Sequence, residues 1–136
     1  MDNFSIFTTH GALSWVELIT DEPNQALTFY QSVMGWETKT ALLEGEDGQP
    51  MAYHLLIADH GYPIGGIAPK CEKTQYLPTA WNAYITVNCV QETLEKATQH
   101  GAHIIWTPKS IPDVGTIAAF TDINGVMISI IQYHID

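Results

Sequence analysis

Residues 15–35 read WVELITDEPNQALTFYQSVMG, and residues 81–101 read WNAYITVNCVQETLEKATQHG. A shift of 66 positions lays Trp15, Ile19, Thr20, Gln25 and Gly35 over Trp81, Ile85, Thr86, Gln91 and Gly101 without a gap. In each copy a strand-like stretch leads into a helical stretch that stops at a glycine, so the chain reads as one supersecondary unit used twice. Within the first copy Val16, Leu18 and Thr20 alternate with Trp15, Glu17 and Ile19, the period of a strand. Asp21 is placed to cap the helix that follows, Pro23 suits its first turn, and Ala26, Leu27, Tyr30, Val33 and Met34 make one apolar stripe ending at Gly35.

Three further strands complete each copy. Trp36 and Glu37 open a stretch that runs to about Leu43, a turn covers 44–50, a strand covers 52–57, and a turn leads into IGGIA at 64–68. In the second copy Asn88 is the expected cap for a helix with Val90, Leu94 and Ala97 on one face, ending at Gly101. Strands are expected near 102–107, 116–121 and 126–133, the last two joined at Asn124 and Gly125, a strong turn pair. Residues 70–79 read as the linker between copies, and 108–115, with two prolines and a glycine, as a surface loop. The expected fold is therefore α+β. Paired βαβββ modules, about 11–70 and 80–134, form a curved mixed sheet around a cleft within one domain.

Composition excludes several classes. An apolar fraction of 46% argues against disorder, and no apolar run approaches the roughly 18 residues of a membrane span. The first ten residues lack the basic start and apolar run of a signal peptide, so a cytoplasmic location is expected. Cys71 and Cys89 have no metal-site or disulfide-framework spacing and are read as reduced thiols. Five basic against fifteen acidic residues give a charge of −10, which repels nucleic acid and favours a cationic partner.

The run WxEL at Trp15–Leu18, the run FYxxxxGW through Phe29, Tyr30, Gly35 and Trp36, WxxYIxV from Trp81 to Val87, and DxxG at Asp122–Gly125 together resemble the vicinal oxygen chelate superfamily. This is the glyoxalase, bleomycin-resistance and extradiol-dioxygenase group, and the resemblance covers about residues 11–134. Within it the chain is similar to a subgroup without an established reaction. The resemblance implies a ligand cleft between the modules and assembly as a homodimer. It also implies a divalent ion held by His, Gln or Glu on the first and last strands of each module. Carried onto this chain, those positions are Trp15, Gly65 or Gly66, Asn82 and Ser129, a set unable to hold Zn, Ni or Fe by familiar chemistry. No metal and no other cofactor is therefore expected.

Slipping a strand by one residue swaps its faces, so register decides which side chains reach the cleft. The ungapped repeat pairs Trp15 with Trp81, whereas the family spacing pairs Trp15 with Asn82. Alternation favours the second: Val16 and Leu18 suit a helix-packed face, as do Ala83 and Ile85, leaving Trp15, Glu17, Asn82 and Tyr84 toward the cleft. The candidate ligand-binding residues are Trp15, Glu17, Tyr53, Asn82, Tyr84 and Ser129. Glu17 is also the candidate catalytic residue, because a carboxylate inside an otherwise apolar strand must be paired, hydrated or perturbed. A relocated metal at Glu17 and His54 is an alternative. The functional expectation is a metal-free protein that binds a small organic molecule, cationic or aromatic. The rivals are an enzyme using Glu17 as base or the relocated metal, and a non-catalytic interaction module.

Overall fold

The computed structural model describes residues 5–45 and 48–134. Eight strands and two α-helices follow one another in the order β1 (Leu13–Thr20), α1 (Pro23–Met34), β2 (Glu37–Glu44), β3 (Pro50–Ile57), β4 (Pro63–Pro69), β5 (Ala80–Thr86), α2 (Val90–Gln99), β6 (His103–Ile111), β7 (Gly115–Thr121) and β8 (Met127–Tyr133). This is βαβββ twice, the α+β architecture expected from the repeat. Contacts divide the chain into two compact units, Val16–Asn82 and the segment up to Trp15 together with Ala83 onward, so the boundary runs through β1 and β5. Among the described residues no helix is long and apolar enough to cross a membrane.

In the first unit the strand order is β2-β3-β4-β1. β1 and β4 run parallel with Glu17 beside Gly66 and Leu18 beside Ile67, while β2, β3 and β4 pair antiparallel. Leu18, Leu56 and Ile67 form the core, and Ala26, Leu27 and Tyr30 of α1 pack on it with Trp36 and Trp81. Because side chains alternate across a strand, this contact fixes one face of the sheet as the helix side. Gly35 takes the left-handed conformation, φ 69°, that ends α1 where the sequence stops it.

In the second unit the order is β5-β8-β7-β6, with β5 and β8 parallel and the rest antiparallel. Val87, Val90, Leu94, Ala118 and Ile130 make its core, with Ile85 and Phe120 packed against them under α2. The N-terminal segment belongs here. Gly11 donates its amide to the Thr86 carbonyl, Thr86 donates to Ala12, and the Thr86 hydroxyl donates to the Ile6 carbonyl. At β8, Phe7 meets Tyr133 edge-on, and the Tyr133 hydroxyl donates to Ser14 Oγ.

Three local expectations are corrected. Asp21 does not cap α1: Glu22 occupies that position without a side-chain bond, and Thr20 Oγ1 accepts the Glu22 amide instead. Asp21 instead lies 3.8 Å from Lys70 Nζ and accepts from Gln75. Asn88 does not cap α2 either: Cys89 holds the cap position, and Gln132 Oε1, from β8, accepts the Val90 amide. A tertiary partner, Gln132, thus replaces the local cap of α2, whereas at α1 the bond stays local, to Thr20 two residues away. Third, residues 108–115 are not a surface loop. β6 continues through Pro108 to Ile111 by shifting register between Trp106 and Lys109, and only a turn around Asp113 joins it to β7. A register shift gives a proline a place in a strand, since the missing amide then lies off the ladder. Residues 70–79, between β4 and β5, carry a 3-10 turn at Glu72–Thr74, and Lys70 Nζ donates to the Leu77 carbonyl. The 44–50 turn lies partly outside the described residues, at 46 and 47.

Candidate functional site

β1 presents Val16, Leu18 and Thr20 to the α1 side, since Leu18 is in the core beneath that helix. Trp15, Glu17 and Ile19 therefore face the other way, on the helix-free face. Glu17 is only 6% exposed. Its neighbour across the parallel ladder, Gly66, has no side chain, and the Tyr53 ring fills the space: a Cβ on Gly66 would stand 2.0 Å from the Tyr53 hydroxyl oxygen. Tyr53 shares its face with Leu55, the ladder partner of Gly66, so Glu17, Gly66 and Tyr53 lie on one surface of the first unit. A buried carboxylate in this setting is stable only with partners, and Glu17 and Tyr53 both have polar or aromatic interactions.

In the second unit Ile130 and Ala118 point into the core under α2. Ser129, between Ile128 and Ile130, consequently points to the helix-free face, where its ladder neighbours are Tyr84 on β5 and Ala119 on β7. Tyr84 is 6% exposed and Ser129 1%. Ser129 Oγ has no hydrogen-bond partner. A buried hydroxyl left unsatisfied costs about 1–3 kcal/mol, so this atom requires an explanation. Asn82 stands two residues before Tyr84 on the same strand face, buried, with its Nδ2 donating to the Ala80 carbonyl.

The six residues singled out from the sequence thus lie on strand faces turned from the helices: Glu17, Tyr53 and Asn82 in one unit, Trp15, Tyr84 and Ser129 in the other. His54 does not join them. It pairs with Ile67 on the α1 side, is buried there, and lies 2.8 Å from Thr40 Oγ1 through Nδ1. Glu17 and His54 are on opposite faces of the sheet, which removes them as a ligand pair for a relocated metal. The superfamily's ion does not fit the positions that would receive it either. Trp15 and the two glycines bring no usable donor atom, Asn82 brings an amide and Ser129 a hydroxyl. Among the described residues no group of three or more His, Cys, Asp and Glu is placed to hold a metal.

The sequence reading missed two cavities, both outside the six-residue set. One of about 260 Å³ is walled by Val16, Trp36, Leu56, Ile64, Gly65 and Trp81, on the α1 side of the first unit. Its aromatic wall is braced by Trp81 Nε1, which donates to the Tyr30 hydroxyl, and by Tyr30 lying at 25° to Trp36. The other, about 390 Å³, runs along α2 past Leu94, Glu95 and Thr98 to Ile104 and Pro108. Two apolar residues that line the first, Val16 on β1 and Ile64 on β4, remain exposed at 41% and 39%, which no local sequence pattern signals. Burial also shifts one titration. Desolvation pushes the Tyr133 phenol above its ordinary 10.0, and the bond to Ser14 offsets this in part.

Two βαβββ modules, each bearing polar side chains on the strand face away from its helix, define a paired-module protein of the glyoxalase type. The chain belongs to the Glyoxalase/Bleomycin resistance protein/Dioxygenase superfamily, whose family model matches residues 12–130. The proteins named "Putative glyoxylase CFP32" in Mycobacterium bovis and Mycobacterium tuberculosis are each 33% identical to it over 122 residues, 90% of this chain and 44% of theirs. "Anthracycline biosynthesis protein DauV" of a Streptomyces species is 20% identical over 132 residues, 88% of this chain and 46% of its own. The chain spans somewhat under half the length of these relatives. Among solved structures, methylmalonyl-CoA epimerase from Mycobacterium tuberculosis superposes with a TM-score of 0.64 at 14% identity, covering 99% of this chain and 94% of that one. The Streptomyces coelicolor epimerase in complex with 2-nitronate-propionyl-CoA gives 0.61 at 11%, covering 90% and 97%. At such identities the likeness is one of fold.

Proposed function

We propose that the chain binds a small organic molecule on its helix-free strand faces, without the superfamily's catalytic metal, and that Glu17 gives this surface its chemical character. The carrying observation is Glu17 itself, a carboxylate 6% exposed on a strand face it shares with Trp15 and Ile19, beside the Tyr53 ring. A buried charge costs more than the apolar residue that would pack there, so its retention favours a role in recognition. An overall charge of −10 favours a cationic ligand, and the aromatic neighbours favour one with a ring. The names carried by the sequence relatives, a glyoxylase and an anthracycline biosynthesis protein, point toward small organic molecules as well.

The same carboxylate supports a second reading, in which Glu17 is the general base of an enzyme and removes a proton from its substrate. Both readings are tested by Glu17→Gln, which keeps shape and removes charge and basicity. Melting curves and a screen of aromatic amines and neutral aromatics are run on the two proteins, with elemental analysis of the wild type. The binding reading expects similar melting, weakened amine binding and far less than one metal per chain. A large loss of melting temperature with unchanged binding assigns Glu17 a structural role and refutes it. So does one metal bound per chain. Substrate turnover abolished by Glu17→Gln selects the enzyme.

A further inference from the structure

The unsatisfied hydroxyl of Ser129 points to a second recognition element, in the second unit and independent of Glu17. β8 reads MISIIQY, and the residues around Ser129 are apolar: Ile128 and Ile130 on either side, Met127 and Ile131 two positions away on its own face. Alanine would fit that strand, as Ala119 does at the neighbouring ladder position. Serine adds only an oxygen, which in this structure is enclosed and bonds nothing, and such a group lowers the stability of the fold.

We propose that Ser129 Oγ is a ligand-reading group that hydrogen-bonds an uncharged oxygen, a carbonyl or an amide, of a molecule bound on the helix-free face. The class of atom follows from what shares the face with it. Tyr84 and Ala119 lie beside it in the ladder, Thr86 pairs with Ile131 and Thr121 with Met127, and none of these carries a charge. A carboxylate, phosphate or metal ion would therefore be desolvated there without a counter-charge, whereas a neutral oxygen needs only the hydroxyl's proton. Because Ser129 is 1% exposed, an occupant reaches it only when enclosing side chains move, and its affinity is reduced by the fraction of time the site is open. This inference rests on the helix-free face being the binding surface, but not on the role of Glu17.

The test uses Ser129→Ala, with Glu92→Gln, an exposed position on α2, as control and N-methylacetamide, a neutral amide, as the probe. Without probe, Ser129→Ala melts higher than wild type, by about 4–12 °C. In the isotope-labelled wild type, N-methylacetamide shifts the backbone amide resonances of Tyr84, Ala119 and Ser129 saturably, and acetate does not. Ser129→Ala weakens that response roughly two- to tenfold, the value of one neutral hydrogen bond, and Glu92→Gln leaves it unchanged. A lower melting temperature for Ser129→Ala shows that the hydroxyl has a partner within the protein, and overturns the proposal. A higher melting temperature with no saturable shift in wild type shows a hydroxyl left bare or filled by water, and overturns it too. Either result leaves the Glu17 test standing, and failure of the Glu17 test leaves the amide response at Ser129 to be read separately.

Discussion

Gly66→Ala is the sharpest probe of the surface on which Glu17 sits. A methyl group at this position would lie 2.0 Å from the Tyr53 hydroxyl oxygen, 2.2 Å from Cζ and 2.4 Å from Cε1, all far inside contact distance. Gly66 is not among the residues with positive φ, so the substitution imposes no left-handed backbone strain, and the three atoms nearest the new methyl all belong to one aromatic side chain. Overpacking of this kind costs about 1–3 kcal/mol. At roughly 4 °C per kcal/mol for a chain of this size, that lowers the melting temperature by about 4–12 °C. The assay is a double-mutant cycle with Tyr53→Ala. With the ring removed, the new methyl meets none of these atoms, so Gly66→Ala should then cost under about 0.5 kcal/mol, giving a coupling of about 1–3 kcal/mol. Tyr53→Phe removes only the hydroxyl and leaves Cζ in the way, so Gly66→Ala should remain costly in that background. Equal losses from Gly66→Ala in the wild-type and Tyr53→Ala backgrounds would refute the placement of the Tyr53 ring over Gly66, and with it the surface that Glu17 shares.

Tyr133 and Asp122 carry two further expectations. Because desolvation raises the Tyr133 phenol above 10.0, the unfolded chain loses this proton first as the solution becomes alkaline. The contribution of Tyr133 is therefore full below pH 10 and falls as pH rises through the folded-state value. Tyr133→Phe should melt slightly lower at neutral pH, through loss of the bond to Ser14, but with less alkaline dependence; an unchanged alkaline slope contradicts the burial. Asp122 Oδ1 accepts the amides of Asn124 and Val126 and shapes the turn in which Gly125 has φ 84°. Asp122→Ala should cost about 1–2 kcal/mol by denaturant titration, and a neutral result would show that Gly125 alone holds the turn.

The fold was legible in the sequence because three signals agreed: strand alternation, an apolar helical stripe, and a glycine at each helix end. The repeat also misled in one respect. At the helix-end glycines the two copies are offset by 66, but in the strands Trp81 shares the face of Ile85, which packs under α2, while Trp15 lies opposite Val16 and Leu18. Leu18 and Ile85 are thus equivalent, an offset of 67, which makes Trp15 correspond to Asn82 rather than to Trp81. Alternation resolved what identity counting did not, because burial acts on faces. The helix starts were not legible. Asp21 and Asn88 are good cap residues, but Thr20 and Gln132 take the amides concerned, and Gln132 comes from a strand more than 40 residues away, a pairing no local pattern encodes. The extent of β6 was hidden by Pro108, which the register shift accommodates.

Position by position, the two copies have diverged on the face where the superfamily's chemistry occurs. Trp15 corresponds to Asn82, Glu17 to Tyr84, and Ile19 to Thr86, so the first strand brings an indole, a carboxylate and an aliphatic group where the second brings an amide, a phenol and a hydroxyl. A divalent ion favours carboxylate, imidazole or thiolate donors, and of these six side chains only Glu17 supplies one. Charge then acts at two ranges. The excess of acidic residues sets up a field that fades over about 8 Å in physiological salt and bears mainly on the rate at which a cation arrives. Glu17, at 6% exposure, is screened far less, and in the proposed binding role it would bear on how long the ligand stays. On that proposal arrival is a property of the whole surface, whereas retention falls to one carboxylate on a single strand.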